Sequence, residues 1–295
     1  MKGTSFLAGA LLLVSTSQAA DIYWVTFHPA DDTPSANAAT AGFTLAPDVG
    51  YTDMLRAAGH NVTRVVSSGT PNTALLNAAD LVIISRSVPS GDYELDAETL
   101  AWNSITAPMM IVNGYVLRST RLGYTTGATM VDTTNSVNML VEDPNHPIFA
   151  GISLALDNTT VDPYANVVTL PFTNVLQRGV SVNTDALAGG GVVLARIGTA
   201  ADPTYNGMVI GEWQAGAVMG TVPADTLGGH RLVFLTGSRE QGITSEGAGI
   251  FDLTPTGSQM FLNAVDYMAI PEPSTFALLG LGLAGLGGLW MRRRR

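Results

Sequence analysis

The 295-residue chain contains no cysteine. That absence excludes a disulfide framework, a thiolate metal site and a thiol nucleophile, so stability has to come from an apolar core. Lysine is almost as scarce. Residues 21–270 hold nine arginines, no lysine and 23 acids, a net charge of about −14. A surface of that sign repels nucleic acid and anionic lipid headgroups, and it favours solubility. Only four histidines occur, none at i, i+4 spacing, and no H-E-x-x-H. Zinc normally takes three or four such ligands, so no metal is expected. Asp31-Asp32 beside His28 is the only local cluster, and it reads as a solvated loop. A D-x-[DN]-x-[DN]-G loop for calcium is missing, as is a G-x-S-x-G elbow. Gly189-Gly190-Gly191 has no following lysine or helix pattern and reads as a turn rather than a phosphate cradle. No repeat of fixed period is visible. No catalytic residues and no cofactor are therefore expected.

The two ends are what the sequence does have. Lys2, an apolar run from Phe6 to Val14 and the small residues around Ser17-Gln18-Ala19-Ala20 read as a secretory signal over residues 1–20. At the other end, Ser274 to Met291 is 18 residues without a charge. As a helix it would be about 27 Å long, close to the thickness of a bilayer's hydrocarbon core. Trp290 lies where an interfacial aromatic would sit, and Arg292, Arg293, Arg294 and Arg295 follow. The positive-inside rule places these arginines in the cytoplasm and everything before Pro271 on the far side. Pro271 and Pro273 keep a helix from running back into the domain. Pro271-Glu272-Pro273, an apolar helix and a terminal arginine cluster together resemble the PEP-CTERM sorting signal. The resemblance implies recognition by exosortase, a membrane protease-transpeptidase of Gram-negative bacteria that make exopolysaccharide. It also implies transient anchoring in the inner membrane, then cleavage and release towards the cell surface or outside it, with exopolysaccharide as a potential partner.

Between the ends, about 250 residues suffice for one large α/β domain. Asp21–Phe27, Asn61–Val66, Asp80–Ser85 and Pro108–Asn113 read as strands, the third apolar enough for a central parallel strand. Helices are expected at Val49–Ala58, closed by Gly59, at Asn72–Ala79 and at Asp92–Ser104. This βαβαβαβ order predicts a flavodoxin-like parallel sheet sandwiched by helices, followed by the C-terminal transmembrane sorting helix. Residues 114–190 read as an irregular insertion with short strands at Gly127–Val141 and Ala165–Phe172. Strands at Gly191–Ile197, Gly207–Trp213 and Arg231–Thr236 follow, then a helix at Pro255–Ala269 with Met260, Phe261, Ala264, Val265 and Met268 on one face.

That order, with Asp143-Pro144-Asn145-His146-Pro147-Ile148-Phe149-Ala150-Gly151-Ile152, Gly229–Leu235 and Phe261–Tyr267, resembles the class I glutamine amidotransferase-like superfamily, its ThuA-like branch most of all. In true amidotransferases a cysteine occupies the turn after a central strand. The matching turn here is Val112-Asn113-Gly114-Tyr115, where Gly114 suits a strained elbow but no nucleophile stands, and Ser119 comes too late.

Open α/β sheets bind ligands at the carboxyl ends of their strands. His28, Arg86, Asn113, Tyr115 and Arg118 follow such ends, and together they would suit a hydroxylated ligand such as a sugar. The alternative is that His28 and Arg86 only hydrogen-bond the surrounding loops. His146 and His230 read as turn residues. Glu212 with Trp213, and Arg239 with Glu240, fit either a sugar contact or a structural pair. Three functions stay open: an exported, non-catalytic domain that binds a carbohydrate or another small polar ligand, a ThuA-like sugar-modifying enzyme, and a structural matrix protein.

Overall fold

The structure, a computed structural model, describes residues 19–133, 138–160, 162–165, 167–170, 174–176, 180–220, 222–223, 225–237 and 243–269. The expected signal peptide, apart from Ala19 and Ala20, the sorting segment from Pro271 to Arg295, and Arg239 with Glu240 lie outside these residues. Among the described residues no helix is long and apolar enough to cross a membrane.

In chain order the elements begin β1 (Asp21–Thr26), α1 (Ala36–Thr40), α2 (Val49–Ala57), β2 (Asn61–Val66), α3 (Thr73–Leu76) and β3 (Leu81–Ile84). Next come α4 (Asp96–Asn103), β4 (Met109–Ile111), β5 (Met130–Asp132), β6 (Met139–Val141), β7 (Val167–Thr169), β8 (Asn174–Leu176) and β9 (Ser181–Asn183). The last are β10 (Val192–Ile197), β11 (Met208–Trp213), β12 (Arg231–Phe234) and α5 (Pro255–Ala269). One eight-stranded sheet dominates, in the order β2-β1-β3-β4-β12-β11-β10-β6. From β2 to β12 every pairing is parallel, and the five strands follow the 2-1-3-4-5 order of doubly wound sheets.

From β12 outward every pairing is antiparallel, which corrects the expectation of a purely parallel sheet. The connections explain the change. A parallel crossover needs a dozen or more residues and usually a helix. Only ten residues separate β10 from β11, and no helix lies between β11 and β12 among the described residues. The insertion at 114–190 is not wholly separate either, because β6 forms the far edge of the main sheet. β5 pairs with β9, and β7 with β8, in two small sheets of their own.

Local chemistry sets the helix ends. Asn72 accepts the Leu75 amide at 3.0 Å and caps α3. Both Glu94 and Leu95 donate backbone N–H groups to the Glu98 carboxylate at 2.9 Å, which starts α4 at Asp96 rather than Asp92. Gly59, at φ +99°, closes α2 in the left-handed conformation that glycine adopts without penalty. Tyr51 of α2 touches Phe261 of α5, with ring centroids 5.6 Å apart, and Phe261 touches Phe234 of β12. These two helices therefore share one face of the sheet. Side chains alternate along a strand, so Arg231 points to the other face, where its guanidinium holds the Asn103 and Ile105 carbonyls at the end of α4. The sheet is thus flanked by helices on both faces. β3 and β12 are buried at every position, whereas edge strand β2 keeps exposed residues throughout.

α5 runs back across the sheet and brings its end to the edge where the parallel strands begin. There the Ala20 amide donates to His60 Nδ1 at 3.3 Å, and His60 Nε2 lies 3.8 Å from Asp266. Both ends of the described body meet at that amino edge.

Candidate functional site

The opposite, carboxyl edge gathers most of the polar side chains that the sequence singles out. Beside the ends of β1 and β3, Asp48 is fully buried. Its Oδ2 accepts from Trp24 Nε1, Thr26 Oγ1 and Ser85 Oγ at 2.7–2.8 Å, and its Oδ1 meets Arg64 at 2.7 Å. Burial pushes this carboxyl up, but the Arg64 guanidinium and the hydrogen bonds outweigh it, and the net direction is down.

His28 belongs to this buried layer. Its Nδ1 accepts the Ser35 amide at 3.0 Å, so in the neutral ring the proton sits on Nε2, which donates to Ser87 Oγ at 2.9 Å. Ser87 Oγ passes its own proton to the Glu246 carbonyl. Burial depresses the His28 pKa, which favours that neutral form. With both nitrogens engaged and no exposed surface, His28 is a positioning residue for loops and does not join the other candidates.

Arg86, Asn113, Tyr115 and Arg118 do come together. Asn113, directly after β4 and Val112, donates through Nδ2 to the Arg86 carbonyl at 3.1 Å. Its Oδ1 accepts the Tyr115 amide at 2.9 Å, which starts a short turn of 3-10 helix at Gly114–Val116. The Arg86 guanidinium lies 4.9 Å from the Tyr115 ring centroid and that of Arg118 lies 5.4 Å away, both within cation–π range. Arg118 Nε donates to the Tyr115 carbonyl at 2.8 Å, and an Nη to Ser90 Oγ at 3.1 Å. Arg86 is nearly buried, whereas Tyr115 and Arg118 are half-exposed. Burial and then the neighbouring Arg121 charge lower the Arg118 pKa, a sign of positive charge concentrated in an otherwise acidic domain. Arg121 itself pairs with Glu94 at 3.0 Å.

Gly114 is not a strained elbow, since its φ is not in the left-handed region. Glycine is needed there because a Cβ would collide with the Ser181 carbonyl oxygen. Gly237, at φ +76°, closes the floor, where an added Cβ would press on the Arg86 side chain at 3.0 Å.

The amino edge holds a cluster that separate reading of its members did not assemble. Glu212 Oε1 meets His230 Nε2 at 2.6 Å and accepts Tyr267 OH at 2.7 Å, while His146 Nε2 lies 4.0 Å from the other oxygen. Burial works against the Glu212 charge, but the bonds from His230 and Tyr267 prevail and lower its pKa. The four residues come from four distant segments, so no spacing rule could have joined them. They tie β11, β12, α5 and the turn at Pro147–Phe149 together. Among the described residues no group of three or more His, Asp or Glu is arranged to hold a metal ion.

Fold and edge together define a mixed α/β domain with a cationic, aromatic cluster at the carboxyl ends of its parallel strands. Residues 269–295 match the PEP-CTERM protein-sorting motif. The motif implies processing by exosortase, a membrane protein, and indicates an exported, membrane-anchored precursor sorted to the cell surface. Solved structures similar to the chain include a ThuA-like protein from Bacteroides uniformis, 9% identical with a TM-score of 0.49 over 91% of this chain and 97% of its own. A GMP synthase subunit from Thermoplasma acidophilum is 14% identical, with a TM-score of 0.41 over 85% of this chain and 94% of its own. A cytoplasmic protein from Salmonella typhimurium is 11% identical, with a TM-score of 0.46 over 84% of this chain and 98% of its own. No curated protein matches the chain.

Proposed function

We propose that the chain is an exported surface or matrix protein whose α/β domain binds a carbohydrate or another small polar ligand without transforming it. The observation that carries this reading is the Arg86–Tyr115–Arg118 stack, fixed from below by Asn113 and half-open to solvent at Tyr115 and Arg118. Guanidinium groups present planar, paired donors that suit a carboxylate, so an acidic sugar fits better than a neutral one. The absence of a cysteine and the burial of His28 support binding over turnover.

Titration of the full-length protein with D-glucuronate and D-glucose by calorimetry tests this reading. Glucuronate binds in preference, and Arg118→Ala weakens it on the order of tenfold or more, as expected for loss of a charge-assisted hydrogen bond. Equal affinity for both sugars, or no effect of Arg118→Ala, counts against the site. Conversion of either sugar, followed by NMR, would instead favour the ThuA-like enzyme reading.

A further inference from the structure

A second polar cleft, of about 480 Å³, opens on the antiparallel half of the sheet, far along the chain from the cluster above. Its lining includes Thr184, Asp185, Arg196 and Asn206, with Gly191 and Gly207. Its volume falls within the range usual for small-molecule sites, roughly 300–1,000 Å³.

Three features of the backbone shape it. The register of β10 on β11 shifts between Val193 and Ala195, and again between Ala195 and Arg196. Such bulges re-aim side chains and recur beside binding sites. Asn206 sits at φ +67°, a left-handed conformation that residues other than glycine adopt rarely. Gly207 lets the chain pack closely beside Asn206, since a Cβ there would press on the Val182 side chain at 2.5 Å and on the Thr204 carbonyl at 2.9 Å.

The chemistry of the walls is specific. Asp185 is held in place by its own amide, which donates to Asn183 Oδ1 at 2.8 Å, and by the Thr129 amide on Oδ2, also at 2.8 Å. Among the described residues, its Oδ1 has no donor. Arg196 pairs through Nε with Glu142 at 2.6 Å and donates through Nη1 to the Asn206 carbonyl, which leaves Nη2 available. The Asn206 side-chain carboxamide and the Thr184 hydroxyl, both on exposed residues, bond no other group among the described residues. The cleft thus offers an acceptor, a cationic donor and two groups that do both.

Charge and polarity narrow the ligand. Arg196 and Glu142 cancel, and Asp185 leaves about one negative charge, which disfavours phosphates and carboxylates. One carboxylate is too few for a calcium site. Leu187, Val193 and Met208 add an apolar share to the lining, but the polar groups outweigh it, and among the described residues no aromatic lines the cleft. Hydroxyl groups, each donor and acceptor at once, match the array. We propose that this cleft binds a neutral sugar unit of a glycan. The proposal does not depend on the acidic-sugar reading of the Arg86–Arg118 cluster.

The test uses the full-length protein in detergent with methyl α-D-glucoside, methyl α-D-mannoside and methyl β-D-galactoside as probes, followed by saturation-transfer NMR and calorimetry. At least one binds at millimolar concentration. Asn206→Gly, which keeps the left-handed backbone and deletes only the amide, weakens it on the order of tenfold. Thr184→Val does so to a similar or smaller extent, whereas Arg118→Ala leaves it unchanged. Failure of all three glycosides to bind at tens of millimolar overturns the proposal, as does indifference to both cleft variants. Binding abolished by Arg118→Ala alone would assign the neutral sugar to the other cluster and also overturn it.

Discussion

Asp48 and Asp252 are both fully buried beside the carboxyl edge, yet their surroundings differ. Asp48 has donors on both oxygens and a guanidinium at 2.7 Å. Asp252 receives Tyr51, Thr236 and the Gly237 amide all on Oδ1, while its Oδ2 is buried without a partner among the described residues. Burial raises the Asp252 pKa, and its neutral hydrogen bonds only partly offset that. With Asp48 the same burial is overcome by Arg64. The Arg64 guanidinium is what turns the two shifts in opposite directions.

Substitution is the harshest way to break this contrast. Asp48→Asn leaves Arg64 with Asp31, at 2.6 Å, as its remaining carboxylate partner and strips three buried donors of a charged acceptor, and it should destabilise the fold by about 3 kcal/mol, measured by urea unfolding. Asp252→Asn should cost only about 1 kcal/mol, because no cation loses its partner. Equal losses would mean that Arg64 does not set the two carboxyls apart.

The pH dependence sharpens the contrast with opposite signs. The Asp48 pKa is lowered from 3.8, so its contribution is present above that value and is lost as pH falls through the folded value. The Asp252 pKa is raised from 3.8, so its contribution is full below that value and is lost as pH rises through the folded value. Unfolding free energies measured across acidic and neutral pH should therefore show a flattened acid limb in Asp48→Asn. In Asp252→Asn the decline on the rising side should disappear.

Much of the parallel half was legible because its signals are local. Leu81–Ile84 is an unbroken apolar run that only a covered central strand requires, and α5 carries its buried face at helical spacing. Arg86, Asn113, Tyr115 and Arg118 can be grouped from the sequence because each follows the end of β3 or β4, and these paired parallel strands end side by side. The engagement of His28 is not legible in the same way, because Ser35 and Ser87, which bond its two ring nitrogens, meet it only in the folded chain. Asp48 precedes a helix, where an aspartate ordinarily caps the first turn, but its side chain makes no cap and turns inward to Trp24 and Arg64. The direction of β10 and β11 was hidden for another reason. Their side-chain patterns suit either orientation, and the short connection between them decides it.

The meeting of Ala20 and Asp266 across His60 has a practical corollary. The described body begins and closes on one side, at the edge where the parallel strands start. The rim that bears Tyr115 and Arg118 stands at the opposite edge, so that variants at either place can be read independently of the other.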